Sequence, residues 1–316
     1  SFDPNVGHDY LEQSDSRFDY YHRVEEKLPF DLEFLNNITK GGIPNKTLNI
    51  IMGGVHSGKS LFLCHFASAY LNQGKNVLYI SLEMSEEEIA KRIDANLLNI
   101  SFDDLMVLPK ALYDDKVSKL KQKTNGKLII KEYPSTSASV LHFKALLNEL
   151  SLKKDFVPDV ILIDYLNICA SSRIKASSAN DTYTYVKSIA EEVRGLAQEF
   201  GIPIWSATQL TRTGYSSSDP DMTDVAESFG LPATCDLLLV LIVSEQMKQM
   251  NQIMIKQLKN RYDDMNRVPR GVVGVDKTKM KLFDLLQTAQ KNVVHSGASK
   301  SSSQSPQVNK FQALKV

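Results

Sequence analysis

The chain has 316 residues, 42% of them hydrophobic, enough for one large domain with a well-filled core. Its 37 Lys and Arg balance 37 Asp and Glu, so a zero formal charge excludes nucleic-acid binding through an overall basic surplus and leaves only local basic loops for it. Cys64, Cys169 and Cys235 sit in apolar runs without metal-ligand spacing, and no stretch reaches membrane-span length, so a soluble protein of a reducing, cytoplasmic compartment is expected.

Residues 1–28 are polar and aromatic (Tyr10, Phe18, Tyr20, Tyr21), and a helix is expected over about 11–27, ended by Pro29. It precedes the core and is placed to dock on something outside it. The chain starts at Ser1 rather than Met, as expected of a piece of a longer protein. From about residue 30 to 286, apolar strands alternate with helical patterns. Strand-like runs fall at 47–53, 76–82, 127–133, 159–166, 203–209 and 236–243, and helices fit at 59–72, 86–98, 138–150 and 182–200. This alternation predicts an α/β fold, a mostly parallel sheet with helices on both faces. Runs at 253–259, 272–275 and 281–286 are expected to extend it as antiparallel edge strands. Residues 291–316 form a polar tail, rich in serine and lysine up to about 310, that is expected to be disordered.

Residues Gly53, Gly54, Val55, His56, Ser57, Gly58, Lys59 and Ser60 complete a G-x-x-x-x-G-K-S/T loop between an apolar strand and an apolar helix. The glycines permit backbone conformations that a Cβ would block, so successive N–H groups converge on phosphate oxygens. The helix N-terminus adds partial positive charge, Lys59 reaches the β- and γ-phosphates, and Ser60 offers a hydroxyl to Mg²⁺. ATP or a similar nucleotide is the expected ligand.

Val160 to Asp164 is an apolar run ending in a carboxylate, as expected of a Walker B strand whose Asp164 supports Mg²⁺. Glu83 ends another strand. The acids after it have a plain explanation, because Ser85 and Glu88 form a capping box, but Glu83 precedes the cap. A carboxylate at that edge suits the orientation of an attacking water, with a solvated loop acid as the plainer alternative. Gln209 closes the strand after Pro203, where an amide suits sensing of a γ-phosphate, or serves as a turn residue. Lys256, Lys259 and Arg261 follow Ile253 to Ile255; alternation puts Lys256 and Lys259 on different faces unless a bulge intervenes. A solvated basic edge is one reading, and cations pushed into a neighbouring subunit's site another.

Taken in order, Gly53–Ser60, Tyr79 to Met84, Ile163 to Leu166, Gln209 and Lys259-Asn260-Arg261 resemble the ATPase domain of hexameric replicative DNA helicases of the DnaB type, in particular its T-even phage branch. Ala226-Glu227-Ser228 and Leu231 to Thr234 agree with it. The resemblance implies a RecA-like core over residues 29–290, preceded by a linker helix segment in 1–28 that packs on a neighbour. It implies Glu83 as catalytic base, Gln209 as the coupling residue, and Lys259 and Arg261 acting in trans across a homo-hexamer. Two loops are then expected to hold single-stranded DNA in a central channel, one with Arg173 and Lys175, the other with Arg212, Thr213 and Gly214. Primase and a helicase loader are the implied partners. The family's N-terminal collar domain is not in the sequence, so a truncated helicase is expected. The acidic stretch Tyr262 to Asn266 departs from the glycine turn common in bacterial members. The implied function is an ATP-driven motor that translocates on single-stranded DNA and unwinds duplex at the replication fork. The alternatives are a RecA-type recombinase on filaments, a nucleotide-switched DNA-binding protein and a small-molecule kinase, the last without an acceptor pocket or lid signature.

Overall fold

The computed structural model describes residues 7, 9–23, 25–174, 182–210 and 230–285. In chain order these form α1 (Ser14–His22), β1 (Lys27–Leu28), α2 (Glu33–Thr39), β2 (Ile43–Pro44), β3 (Leu48–Gly53), α3 (Lys59–Asn72) and β4 (Val77–Ser81). Next come α4 (Glu86–Leu97), α5 (Phe102–Val107), α6 (Lys110–Lys123), β5 (Leu128–Glu132), α7 (Val140–Lys154), β6 (Val160–Asp164), α8 (Thr182–Phe200) and β7 (Ile204–Gln209). The chain then runs through α9 (Gly230–Thr234), β8 (Leu237–Ile242), α10 (Glu245–Gln249), β9 (Gln252–Asn260), β10 (Arg270–Asp276) and β11 (Lys281–Asp284).

Nine strands form one sheet in the order β11-β10-β9-β8-β3-β7-β6-β4-β5. From β8 to β5 every pairing is parallel, whereas β9, β10 and β11 join antiparallel, as the sequence predicts. The central strands are buried and mostly apolar because both faces are covered, with Asn49, Ser81, Asp164, Ser206 and Thr208 as buried polar residues among them. Ile51, Tyr79, Leu162, Trp205 and Leu239 face a core shared with α3 and α4. Ile50, Met52, Leu78, Ile80, Ile163 and Val240 face the other core, filled by Phe143 and Leu147 of α7 and Ile189, Val193 and Leu196 of α8.

Where the structure departs from the sequence pattern, the reason is local. The first helix spans only Ser14–His22, because Arg23 turns extended and Lys27–Leu28 pairs with Ile43–Pro44. None of its residues is buried, and Tyr10, Phe18, Tyr20 and Tyr21 stay exposed. Helices α5 and α6 carry no buried residue, so no apolar stripe announced them. Helix α7 runs on to Lys154 and stops at Asp155, which is left-handed. The polar tail 291–316 lies outside the described residues.

The single tryptophan, Trp205, is fully buried, with its ring centroid 4.9 Å from Phe66 and 5.9 Å from Phe30. Truncating Phe66→Ala should cost about 3–5 kcal/mol, read in denaturant titration by Trp205 fluorescence. Burial pushes the thiols of Cys64, Cys169 and Cys235 up to about 12. A thiol reagent at pH 8 should therefore leave the native protein unlabelled and titrate all three only on unfolding; fast labelling of native protein would contradict this packing.

Candidate active site

The phosphate loop is held by geometry that glycine and sheet register dictate. Strand β3 ends at Gly53, where a Cβ would stand 2.2 Å from Ser57 Oγ. Gly58, at φ +101°, precedes the first residue of α3, so the loop enters the helix through a conformation that a side chain would strain. Ser57 Oγ is buried and has no hydrogen-bond partner among the described residues. Lys59 Nζ donates to the carbonyls of Gly53 (3.1 Å) and Gly54 (2.7 Å), folded onto its own loop. Burial pushes the Lys59 ammonium below its usual range, and Asp164 and Glu83 pull it back up. A converging loop with a buried unpaired hydroxyl and an ammonium at a helix N-terminus fits a polyphosphate.

Register brings the remaining groups to the same edge. Ser81 pairs with Asp164, so Glu83 emerges just beyond the carboxyl end of β4, beside the end of β6. Gln209 pairs with Gly53, beside the loop, and its Nε2 lies 3.4 Å from Tyr165 Oη. Asp164 is fully buried; burial raises its pKa, while hydrogen bonds from the hydroxyls of Tyr79 and Ser60 pull it down. Asp164 and Ser60 thus set hard oxygen donors side by side at the loop, which is donor chemistry that fits Mg²⁺. Gly58, Lys59, Ser60, Glu83, Asp164 and Gln209 line one cleft of about 480 Å³. Its far wall comes from the turns of the antiparallel edge, with Lys248, Asn251 and Lys277. Sequence reasoning assigned no site role to Tyr165, just past Asp164, or to Arg92 of α4, and it missed Lys248 and Lys277, because nothing local to them marks where the edge turns fold back.

Lys259 and Arg261 do not reach this cleft. The pairing of β8 with β9 slips between Leu238 and Leu239, which face Lys259 and Gln257, leaving Leu258 as the extra residue of a bulge. Directly paired residues share a face, so Lys256 (opposite Val240) and Lys259 (opposite Leu238) lie together despite their odd spacing. Lys259 Nζ donates to the carbonyls of Pro232 and Ala233, and Arg261 Nη1 donates to Asp236 Oδ1 at 2.8 Å. The Asp236 carboxylate also takes Arg194 and the backbone N–H of Leu48. This cluster therefore sits at the Leu48 end of β3. Gly53 lies five residues along the strand, about 16 Å away at the usual rise.

Of the residues expected to touch DNA, Arg173 is described, while Lys175, Arg212, Thr213 and Gly214 lie outside the described residues, as do Ala226 to Ser228. Arg173 is engaged on α8: Nη2 donates to Glu191 Oε2 (3.0 Å) and to the Ser188 carbonyl (3.1 Å). Beside it, burial of Glu192 is outweighed by hydrogen bonds from Ser171, Ser172 and Ser188, which hold its carboxyl below the usual range.

Residues 28–273 match the family described as the DnaB-like helicase C terminal domain. The chain belongs to this family. It is 46% identical over 315 residues to the DnaB-like replicative helicase of Enterobacteria phage T4, a match covering 99% of this chain and 66% of that relative. The replicative DNA helicase DnaB of Helicobacter pylori is 27% identical over 221 residues, covering 68% of this chain and 43% of the relative. The chain thus spans just under two thirds of the phage relative and less than half of the bacterial one. A solved structure described as a DnaB-like replicative helicase and its interactions with primase superposes with a TM-score of 0.72 at 18% identity, over 88% of this chain and 69% of that one. A second solved structure, described as an ATPase domain, superposes with a TM-score of 0.69 at 18% identity, over 87% of this chain and 97% of that one. The expected α/β, RecA-like ATPase core is therefore the fold of this DnaB-like domain, and the recombinase alternative is not favoured. No described helix is long and apolar enough to cross a membrane.

Lys59→Met tests the loop geometry. Removing a partly desolvated ammonium should leave the melting temperature unchanged or slightly raised, while triphosphate affinity by titration calorimetry falls on the order of 10–100-fold.

Proposed function

We propose that this chain is the ATP-hydrolysing motor domain of a replicative DNA helicase that translocates on single-stranded DNA and separates duplex at the fork. The observation that carries this reading is the division of charged groups between the two ends of the sheet. The phosphate loop, Glu83, Asp164 and Gln209 lie at one end, and Lys259 and Arg261 about 16 Å away at the other. A chain so built cannot bring its own Arg261 to its own nucleotide. A ring or helix of copies can, by setting the Arg261 end of one protomer against the cleft of the next.

In this reading Gly53 to Ser60 cradle the phosphates of ATP, with Ser60 and Asp164 holding Mg²⁺. The metal supplies neutralisation of charge between the phosphates. Glu83, exposed at the cleft rim, accepts the proton of the attacking water. Gln209 touches the nucleotide from β7 and leads directly into the loop after it, so a change at the phosphate is passed to residues 212–214. Arg261, with Lys259 beside it, stabilises the charge that develops on the neighbour's γ-phosphate.

The functional assembly is a homo-hexamer around single-stranded DNA, with α1 and the rest of 1–28 as linker, 29–290 as ATPase domain and 291–316 as tail. Arg173 and Lys175 from one loop and Arg212, Thr213 and Gly214 from the other hold the DNA backbone, Arg173 exchanging Glu191 for phosphate. A neutral chain suffices, because six copies multiply a few local cations. Primase and a loader are its partners, and the cytoplasm of an infected host its location. A nucleotide-switched binder without turnover would use the same loop, but the placement of Glu83 in the same cleft as Lys59 favours hydrolysis.

Phosphate release should rise with single-stranded DNA. Glu83→Gln should lower turnover at least 10²-fold while nucleotide affinity stays within about threefold. Undiminished turnover in this variant would refute Glu83 as the base, and DNA-independent, negligible turnover in the parent chain would favour the switch.

A further inference from the structure

Under the floor of the cleft, three buried groups from three elements form a chain. Cys64 of α3 places its Sγ 3.8 Å from Tyr79 Oη, and Tyr79 of β4 donates to Asp164 Oδ2 at 2.9 Å. Tyr79 and Cys64 are inaccessible to solvent. Apart from its hydroxyl, Tyr79 does what any large apolar residue would do there, packing among Ile51, Phe62 and Leu162 in one core. Phenylalanine would fill that space without burying a polar atom, so the hydroxyl is explained by Asp164 alone. A phenol carries one proton. With the Cys64 thiol donating into its oxygen, that proton is committed to the carboxylate.

The need for such an anchor follows from the side chain it holds. The carboxylate torsion of aspartate is broad and nearly two-fold, so packing alone does not fix the plane of Asp164. Two hydroxyls grip it, those of Ser60 and Tyr79. In the function proposed for the loop, Ser60 is drawn to the cation when nucleotide binds. Tyr79 is then the side chain that stays with Asp164 among the described residues.

We propose that Tyr79, backed by Cys64, is a positioning residue for divalent-cation binding at the phosphate loop, fixing the rotation of the Asp164 carboxylate from beneath. The proposal rests on Asp164 as a metal-supporting residue. It assigns a role to a residue whose sequence context, the middle of a buried strand, reads as packing. Partners that orient a metal-supporting group change metal affinity by about 10–100-fold when removed.

The test is a Mn²⁺ titration followed by electron paramagnetic resonance on the full chain saturated with a non-hydrolysable ATP analogue. The chain is compared with Tyr79→Phe, Cys64→Ala, Asp164→Asn and the Tyr79→Phe/Asp164→Asn double variant. Tyr79→Phe should weaken Mn²⁺ binding about 10-fold, and Cys64→Ala should weaken it less, in the same direction. Binding of the analogue in EDTA should stay within about twofold for both. The double variant should bind Mn²⁺ no more weakly than Asp164→Asn alone, since Tyr79 acts through that carboxylate. Unchanged Mn²⁺ affinity in Tyr79→Phe alongside a loss in Asp164→Asn overturns the proposal, as does a double variant whose losses add. Unchanged affinity in Asp164→Asn itself overturns the metal role of that residue, a different failure from the first. If Tyr79→Phe melts too low to titrate, Cys64→Ala carries the same comparison.

Discussion

A parallel strand has two unlike ends, and a sheet of parallel strands collects all of its carboxyl ends along one edge. Here that edge carries the phosphate loop after β3, Glu83 after β4, Asp164 at the end of β6 and Gln209 at the end of β7. The antiparallel return of β9 delivers Lys259 and Arg261 to the opposite edge, level with the start of β3 and β8. The strand rise sets the distance between the two groups, and side-chain motion cannot remove it. The proposed sharing of one active site between two protomers follows from that separation, together with the register that brings the other four groups into one cleft.

The charged groups at the two edges are managed differently. At the cleft, the partly buried Lys59 and the buried Asp164 lie near one another, each held away from its usual pKa by desolvation and partly restored by its neighbours. At the far edge, Asp236 is buried and shared by Arg194, Arg261 and the Leu48 N–H. Stripping a buried carboxylate of every partner costs about 3–5 kcal/mol, but Asp236 keeps Arg194 and Leu48 if Arg261 swings away. In the proposed assembly, Arg261 turning toward a neighbour therefore leaves no buried charge alone. Arg173 has an exposed ion pair with Glu191, of the kind that contributes little, and a longer one to the buried side chain of Glu192, which keeps the hydroxyls of Ser171, Ser172 and Ser188 if Arg173 leaves.

Much of this was legible in the sequence because it is written locally. The helices expected over 59–72 and 182–200 occur with those bounds, the first buried from Leu61 to Leu71 and the second burying Val186, Ile189, Ala190, Val193, Leu196 and Ala197 of its stripe. Ser85 caps α4, its side chain accepting from the Glu88 N–H, but the box stays half-made because the Glu88 carboxylate turns to Lys91 and Arg92 instead of back to Ser85. The glycine-rich loop and the carboxylates at strand ends need only their own neighbourhood to be recognised. What was not legible depends on distant parts of the chain. Helix α6 has no buried face, so its sequence carries no stripe to read. The bulge at Leu258 that aligns Lys256 with Lys259 exists only in the pairing with β8. Tyr79 meets Asp164 across 85 residues of sequence, and Lys277 reaches the cleft only because β10 and β11 fold back over it.

The central claim is that hydrolysis needs one protomer's cleft and its neighbour's Arg261. Mixing two variants tests it most directly: Lys59→Ala, which lacks a working loop but keeps Arg261, and Arg261→Ala, which keeps the loop but lacks the cation. Each alone should be inactive, and phosphate release should appear when they co-assemble on single-stranded DNA, peaking near equal amounts. A mixture that co-assembles yet stays inactive, or an Arg261→Ala protein that hydrolyses ATP unaided, would contradict the account.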